Sequence, residues 1–226
     1  MGPYAKQRSH TSSCSDSVFA PMKMTELSYV GTRPYIRGAD LYAWFDRHFC
    51  GETEELDRPK HVRRFKLISE VRRDGCWSEG HEAGASASLE LVDGRGNVRR
   101  YAFRETGPII ERRTVDLPSV IGQMNRTGDF AGTAKLARIY CTVDFLNGLI
   151  EANKLLHAET LKTRSIAADG IRLIYIENFA ACGGSIAEST LEFRHLGERR
   201  AADRTYTLNA VRVDGGGDTM RICYSY

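Results

Sequence analysis

Two stretches of the chain carry apolar residues at the spacing of an amphipathic helix. The first stretch follows Asp40 and the second follows Asp144. Such spacing places the apolar residues on one face of a helix, so each stretch is predicted to be a helix with one buried face. A short strand-like run precedes each aspartate, which stands where the N-cap of a helix is expected. The two stripes consist of Leu41, Trp44, Phe45, His48 and Phe49, and of Phe145, Leu146, Leu149 and Ile150.

Three strand-like runs follow each predicted helix. β-Branched and aromatic residues are frequent in these runs, and turn-forming residues separate them. The runs cover residues 65–71, 85–92 and 98–103 in the first half of the chain, and residues 171–179, 186–193 and 206–213 in the second half. Residues 93–97 and 195–198 are predicted to be hairpin loops. The order of elements is therefore a strand, a helix and a three-strand meander, twice.

The two halves also match in sequence. Four pairs of matched residues occur in the same order, and the two members of each pair are 102 to 106 residues apart. The pairs are Asp40 and Asp144, Leu67 and Leu173, Leu89 and Leu191, and Tyr101 and Tyr206. This repeat predicts an α+β chain of two tandem units, residues 25–106 and 135–226, packed side by side. Residues 1–24 are predicted to be a disordered tail, and residues 107–134 a crossover linker with a short helix around residues 117–124.

Composition narrows the class of protein. The chain has 226 residues, of which 42% are hydrophobic and 27% are charged, as is typical of a globular protein with a core. No run approaches the roughly 18 to 20 apolar residues that span a membrane. The net charge of +3 is small for a protein that binds nucleic acid. Neither a membrane nor a nucleic-acid partner is therefore expected.

The cysteines and glycines indicate no bound group. The six cysteines form no Cys-x-x-Cys pair and no tight cluster with histidine, so neither a metal site nor a disulfide framework is expected. The glycine clusters do not follow a strand and open a helix, as a phosphate-binding loop must. We therefore expect no metal, no cofactor and a reducing, cytoplasmic environment.

The order of elements and the turn Leu-Glu-Leu-Val-Asp-Gly-Arg-Gly, residues 89–96, resemble the hot-dog superfamily. In that family a long helix is wrapped by an antiparallel sheet, and a duplicated chain copies the usual dimer. The resemblance covers residues 29–226 and implies chemistry on acyl thioesters of coenzyme A or acyl carrier protein, namely hydrolysis, hydration or dehydration, or acyl transfer. It also implies an active site where the two units meet, near the start of one central helix, whose backbone N–H groups polarise the thioester carbonyl.

The resemblance singles out five candidate catalytic residues. A carboxylate does the acid/base work in this family, often with a histidine from the other unit. This implies Asp144 and Asp40 as the acid/base candidates, with His61 and His81 as candidate partners. Asn147 follows Asp144 by three residues, one place earlier than the second polar residue of the family's dehydratases. The residues after His81 lack the proline of the family's motif, and this departure argues against dehydration.

Plainer roles stay open for these residues. An aspartate before a helix commonly caps it, which stabilises the fold by about 1 kcal/mol without any chemistry. No complete catalytic motif is present, so the sequence leaves open whether the chain is an enzyme, either a thioesterase or a dehydratase or hydratase. The alternatives are a non-catalytic binding module for a small apolar or acyl ligand, and a cystatin-like or nuclear-transport-factor-like cone. The chain could act alone or as a homodimer.

Overall fold

The computed structural model describes residues 35–50, 59–81, 83–110, 119–137, 139, 141–168, 170–180, 188–214 and 220–226. Within them lie two helices and one antiparallel sheet of ten strands, which confirms the predicted α+β class. The predicted tail, residues 1–24, lies outside the described residues. No helix in the described part of the chain is both long and apolar enough to span a membrane.

The helices are α1, Gly38–Phe45, which continues as a π-helical turn over Asp46–Cys50, and α2, Thr142–Thr163. The strands are β1 Pro59–Leu67, β2 Arg73–Glu79, β3 Ala87–Asp93, β4 Val98–Ile109, β5 Ile121–Gly128, β6 Ala131–Ala137, β7 Arg172–Ala180, β8 Glu188–Ala201, β9 Arg204–Val213 and β10 Met220–Ser225. Their order in the sheet is β2-β4-β3-β1-β7-β10-β9-β8-β6-β5. The first half of the chain therefore forms one end of the sheet and the second half forms the other.

The two halves meet where β1 pairs with β7. Val62 lies opposite Phe179, and Phe65 lies opposite Ile176. All four side chains are buried and belong to one hydrophobic core. Because the pairing joins the halves through main-chain hydrogen bonds as well as core contacts, the core is continuous from one end of the sheet to the other.

A row of alternating charges crosses the outer face of the sheet at this junction. Arg100, Glu90, Arg64, Glu177 and Arg221 are successive cross-strand neighbours on β4, β3, β1, β7 and β10. The Nε of Arg100 lies 2.8 Å from the Oε1 of Glu90, and the Nε of Arg64 lies 2.7 Å from the Oε1 of Glu177. Opposite charges on facing strands favour this register over a shifted one. We call this row the charge ladder.

The first helix begins over the junction of the halves. A Cβ atom at Gly38 would lie 3.1 Å from the Leu67 side chain on β1 and 3.2 Å from the Leu173 side chain on β7. The backbone N–H of Ile36, just before the helix, donates to the carbonyl of Val71. These contacts fix the start of α1 on the two central strands.

The second helix crosses the strands of the second half and contacts α1. A Cβ atom at Gly148 would lie 2.8 Å from the Leu136 side chain on β6 and equally close to Val120. Two residues further on, the carbonyl of Ile150 accepts a hydrogen bond of 2.8 Å from the Tyr224 hydroxyl on β10. The close approach to β6 favours a glycine at position 148, because a Cβ there would force Leu136 and Val120 to shift.

Both helices begin earlier than predicted. The N-cap residues are Arg37 and Cys141, and neither makes a side-chain cap hydrogen bond. Asp40 and Asp144 are instead the third residues of their helices, so the prediction that they are N-caps is wrong. The physical reason is that a carboxylate is favoured throughout the first turn by the positive end of the helix dipole, so an aspartate there does not mark the cap itself. Each carboxylate bonds to the side chain of its N-cap residue. The two aspartates nevertheless occupy the same position in their helices.

Two local predictions in the second half are also wrong. Residues 195–198 lie inside β8, where Gly197 marks a bulge, and the hairpin turns instead at residues 202–203. Residues 121–124, predicted to be part of a short helix, belong to β5. The segment predicted as a linker thus contains β5 and part of β6, which pair with each other and extend the sheet. The proposed unit boundaries stay a prediction.

The six strands predicted after the two helices all overlap observed ones, but the meander holds only in the first half. The short strand predicted before the first helix is not formed over residues 35–37, where the chain instead turns into α1, and Tyr140, in the strand predicted before the second helix, lies outside the described residues. There β1, β3 and β4 are neighbours in the predicted order, with the unpredicted β2 outside β4. In the second half β8 and β9 form the predicted hairpin, while the unpredicted β10 lies between β9 and β7. The described strands that the sequence did not predict are β2, β5, β6 and β10.

Candidate functional site

The start of α2 offers hydrogen-bond donors. The first hydrogen bond of this 22-residue helix runs from the N–H of Phe145 to the carbonyl of Cys141. The N–H groups of the three preceding residues, Thr142 to Asp144, therefore have no acceptor within the helix. They lie at the positive end of the helix dipole, where an electron-rich oxygen is favoured.

Asp144 stands among these donors. Its carboxylate accepts a hydrogen bond of 3.4 Å from the thiol of Cys141, which is a free, exposed cysteine. Asp144 itself is half-buried, and so is Asn147. Residues three apart on a helix are neighbours on its surface. The structure therefore brings Asp144 and Asn147 together on one half-buried face at the beginning of α2.

Asp40 has the same position in α1 but a different partner. Its two carboxylate oxygens accept hydrogen bonds of 2.8 and 2.6 Å from the guanidinium of Arg37. Both side chains are only 18% exposed. A bidentate, partly buried pair of this kind holds the carboxylate in one orientation. The two helix starts are thus alike in position and unlike in chemistry.

The two candidate histidines lie apart from each other. His61 is half-buried on β1, opposite Ala180 of β7 and Val92 of β3. It therefore lies at the junction of the halves. His81 is exposed just after β2, the strand at the far end of the sheet from those that α2 crosses. Its carbonyl accepts a hydrogen bond of 2.9 Å from Arg104.

A second group of polar residues, which the sequence analysis missed, lies under the C-terminal half of α2. These residues are Asn153 and His157 on the helix and Thr207 and Asn209 on β9, and each is at most 1% exposed. The Nδ2 of Asn209 donates to the Oδ1 of Asn153 at 2.7 Å, and His157 contacts the Thr207 hydroxyl. We call these four residues the buried polar cluster. Its sequence signal is a pair of polar residues four apart on the apolar face of a helix.

Burial controls the charge of His157. Desolvation lowers the pKa of its imidazole to about 4, so the ring is neutral at pH 7. The ring Nδ1 lies 2.8 Å from the carbonyl of Asn153 and must therefore carry the proton. Nε2 is then the acceptor of the Thr207 hydroxyl proton.

A charged network closes the cluster off at the surface. Arg164 contacts Asp129 and Glu198, both at 2.7 Å, and the Tyr226 hydroxyl donates to Glu198 at 3.0 Å. These hydrogen bonds raise the pKa of the Arg164 guanidinium and lower the pKa of the Asp129 carboxyl. Among the described residues, no group of three His, Cys, Asp or Glu side chains could hold a metal ion.

Known proteins resemble the chain in structure only. No protein-family model matches it, and no curated protein matches it. Similar solved structures include a putative thioesterase from Novosphingobium aromaticivorans, with 10% identity, 84% of this chain and 87% of that chain covered, and a TM-score of 0.43. Another is a conserved protein of unknown function with a hot-dog fold from Alicyclobacillus acidocaldarius, with 10% identity, coverage of 85% and 86%, and a TM-score of 0.46.

A putative oleoyl thioesterase from Lactobacillus plantarum is also similar, with 12% identity, coverage of 82% of this chain and 85% of that chain, and a TM-score of 0.39. A protein of the hot-dog fold and thioesterases are therefore among the structures that this chain resembles.

Proposed function

We propose that the protein processes an acyl thioester, by hydrolysis or by adding or removing water, in a cleft between two tandem hot-dog-like units. Asp144 is the acid/base or water-orienting group of this proposal. The observation that carries it is the half-buried Asp144 carboxylate in the first turn of α2, beside N–H groups that have no acceptor within the helix. The contact between α1 and α2 supports a site near the place where the halves meet.

The helix start supplies what a thioester carbonyl needs. Attack on the carbonyl carbon places negative charge on its oxygen, and N–H donors aimed at that oxygen stabilise the charge as it develops. A carboxylate beside the same carbon can take a proton from the attacking water and later return it to the leaving thiolate. Asn147, on the same helix face, is proposed to hold the water or the substrate through its amide.

The second half is the better candidate of the two. Asp40 would have to leave the bidentate pair with Arg37 before it could accept a proton or hold a water. The Asp144 carboxylate accepts a hydrogen bond from the neutral thiol of Cys141 and lies in the first turn of α2, beside backbone N–H groups that have no acceptor within the helix. We therefore propose that Asp40 keeps a packing role and that turnover depends on Asp144. His61 stays a proposed partner because it lies at the junction of the halves.

A non-catalytic binding module for an acyl or apolar ligand is the second candidate function. It is favoured by the position of His81, which lies after β2, at the opposite end of the sheet from the strands under α2. A carboxylate and histidine pair that includes His81 is therefore not assembled. Binding of an acyl chain needs neither residue.

The test is turnover of a panel of acyl-CoA substrates of different chain length. Hydrolysis is followed by the release of free coenzyme A thiol, and hydration by the loss of the enoyl absorbance. Asp144→Asn is expected to reduce kcat by a factor of about 100 or more, the usual contribution of a general acid or base. Asp40→Asn is the matched control, and it should keep the wild-type rate.

Two further outcomes decide between the candidates. Equal rates for Asp144→Asn and wild type, with both folded by circular dichroism, remove Asp144 from the mechanism. Saturable binding of acyl-CoA without turnover of any substrate supports the binding module instead. Because Cys141 is a free, exposed cysteine and an accessible thiol can react with thiol reagents, the thiol assay is run with Cys141→Ser as the background protein.

A further inference from the structure

The turn between β5 and β6 is held in an unusual conformation. Phe130 has a φ angle of 53°, in the left-handed region that aromatic residues rarely adopt, yet its side chain is fully buried. Its ring lies 4.7 Å from the His157 ring and 5.0 Å from the His195 ring. The guanidinium of Arg164 covers the same ring at 4.8 Å. A strained residue of this kind persists only where its surroundings hold it.

Both backbone groups of Phe130 are held by side chains of other elements. Its N–H donates to the Thr160 hydroxyl near the end of α2, at 2.9 Å. Its carbonyl accepts from the Nδ2 of Asn209 on β9, at 2.8 Å. The turn, the C-terminal half of α2 and β9 are therefore fastened together through one residue. Loss of either bond removes one of the contacts that hold Phe130 in its left-handed conformation.

One polar group of the buried polar cluster has no hydrogen-bond partner in the described part of the chain. The Nδ2 of Asn153 is buried and has no hydrogen-bond partner among the described residues. A buried donor without an acceptor costs free energy that contact with water would restore. The free-energy difference between the buried and the water-exposed arrangement is therefore smaller for the buried polar cluster than for an apolar core of the same size.

His157 is the group in the cluster that can change charge. Its ring lies between α2, the Phe130 turn and the sheet, and it accepts the Thr207 proton only while neutral. The titratable groups that act on it are His195 and Glu198 on β8 and Tyr224 on β10. Arg164 and Tyr226 contact the neighbouring Phe130 ring, and Arg164 pairs with Asp129 of the turn. On β9 it faces Thr207 and Asn209, which do not titrate.

These surroundings oppose a positive charge at position 157. Glu198 is the facing carboxylate of β8, but it already accepts hydrogen bonds from Arg164 and Tyr226. The neighbouring His195 opposes a positive charge at His157. An imidazolium here would also lose the Thr207 proton as its donor, because Nε2 would carry its own hydrogen. Protonation therefore favours an arrangement in which the ring reaches water.

We propose that the β5–β6 turn and the C-terminal half of α2 form an acid-operated latch, in which protonation of His157 releases Phe130 while the rest of the sheet stays folded. Release exposes the Phe130 ring and gives Asn153 and His157 access to water. The latch lies on the same helix as Asp144 but at its other end, so it does not depend on the proposed acyl-thioester activity.

The test is hydrogen exchange of single backbone amides, measured by NMR on the full chain and corrected for the intrinsic effect of pH. The Phe130 amide reports the latch, and the Phe65 amide on β1 reports the sheet. His157 titrates at about 4 when closed and near 6.5 when exposed to water, so protection at Phe130 should fall on the order of 100-fold from pH 7 to pH 4. Protection at Phe65 should be unchanged.

Two variants separate His157 from the other acid-titrating groups. His157→Gln keeps a donor and an acceptor but cannot gain a charge, so its Phe130 protection should not fall. His195→Gln is the matched control, and it should lose protection as the wild type does. If His157→Gln does not fold, the wild-type ring resonances of His157 must shift with the same midpoint as the loss of Phe130 protection.

Three results would overturn the latch. The first is unchanged protection at Phe130 down to pH 4. The second is a parallel loss at Phe65, which would mean global unfolding. The third is a loss in His157→Gln equal to that of the wild type, which would assign the effect to Asp129 or Glu198.

Discussion

The two helices pack on one sheet by different chemistry. Under α1 the contacts are aromatic: the Phe45 ring lies 5.3 Å from Trp77 and 4.9 Å from Tyr101, both edge-on. Under the C-terminal half of α2, buried leucines are joined by amides, a hydroxyl and an imidazole, of which Asn153 and Asn209 are fully buried. Edge-to-face rings stabilise the fold mainly through the apolar area they bury, and this stabilisation tolerates small shifts of the rings. A buried amide pair keeps its hydrogen bond in only a narrow range of distances and angles. The position of α2 on the sheet is therefore more tightly restrained than that of α1.

The largest effect that would test this comparison is the loss of the central aromatic ring. Phe45→Ala is expected to reduce the free energy of unfolding by about 3–5 kcal/mol, because it removes a ring that is 1% exposed and leaves a cavity. Denaturant unfolding, followed by the fluorescence of Trp44 and Trp77, measures it. Phe45→Leu should lose much less if the cluster tolerates repacking. A loss as large as that of the alanine variant would show that ring geometry is required.

A smaller loss is expected from the buried amides. Asn209→Leu leaves the Phe130 carbonyl and the Oδ1 of Asn153 without their donor, which should cost roughly 3 kcal/mol. Adding Asn153→Leu removes one of the stranded acceptors, so the double variant should lose less than the sum of the two single variants, by at least about 1 kcal/mol. Urea unfolding curves of the four proteins close this cycle. Additive losses would mean that the two amides act independently and that α2 is no better positioned than α1.

The smallest effect concerns the glycines by which each helix approaches the sheet. Gly148→Ala places a Cβ 2.8 Å from Leu136 and Val120 and should cost about 1–2 kcal/mol, since the overpacking exceeds the gain in helix propensity. Gly38→Ala places it 3.1 Å from the flexible end of Leu67, and the net change should stay within about 0.5 kcal/mol. Thermal unfolding of the pair resolves the difference. Equal changes in the unfolding temperature of the two variants would show that both helices can move away from the sheet to the same extent.

Local sequence patterns predicted the elements whose signal is local. Both helices were found because each carries an apolar stripe, and six strands were found because each is a run rich in β-branched and aromatic residues bounded by turn residues. Strand β2 was missed because Gly75 interrupts it. A Cβ at that position would lie 2.1 Å from the carbonyl of Arg104, so the glycine permits close pairing with β4. Only the fold makes that need visible.

For the candidate site, too, the sequence predicted the positions of residues along the chain but not their partners in space. The aspartates at the helix starts follow from spacing, and the structure places both in the first turn. Their different partners do not follow from spacing, since Arg37 and Cys141 both precede their aspartate by three residues. The buried polar cluster escaped prediction because its amide pair joins residues 56 positions apart. A polar side chain on an apolar helix face signals such a pair without naming its partner.

The charge ladder has a consequence for the growing chain. Strand β1 pairs with β3, which follows it closely in sequence, and with β7, which follows about a hundred residues later, so we expect the pairing with β7 to form late. A half-finished sheet with an open central edge invites association with other chains. Arg63, Arg64 and Lys66 line β1, and clustered positive charge discourages neighbouring nascent strands from pairing there. Once β7 is in place, Glu177 pairs with Arg64. The same positive charge that disfavours aggregation during synthesis then helps to join the two halves.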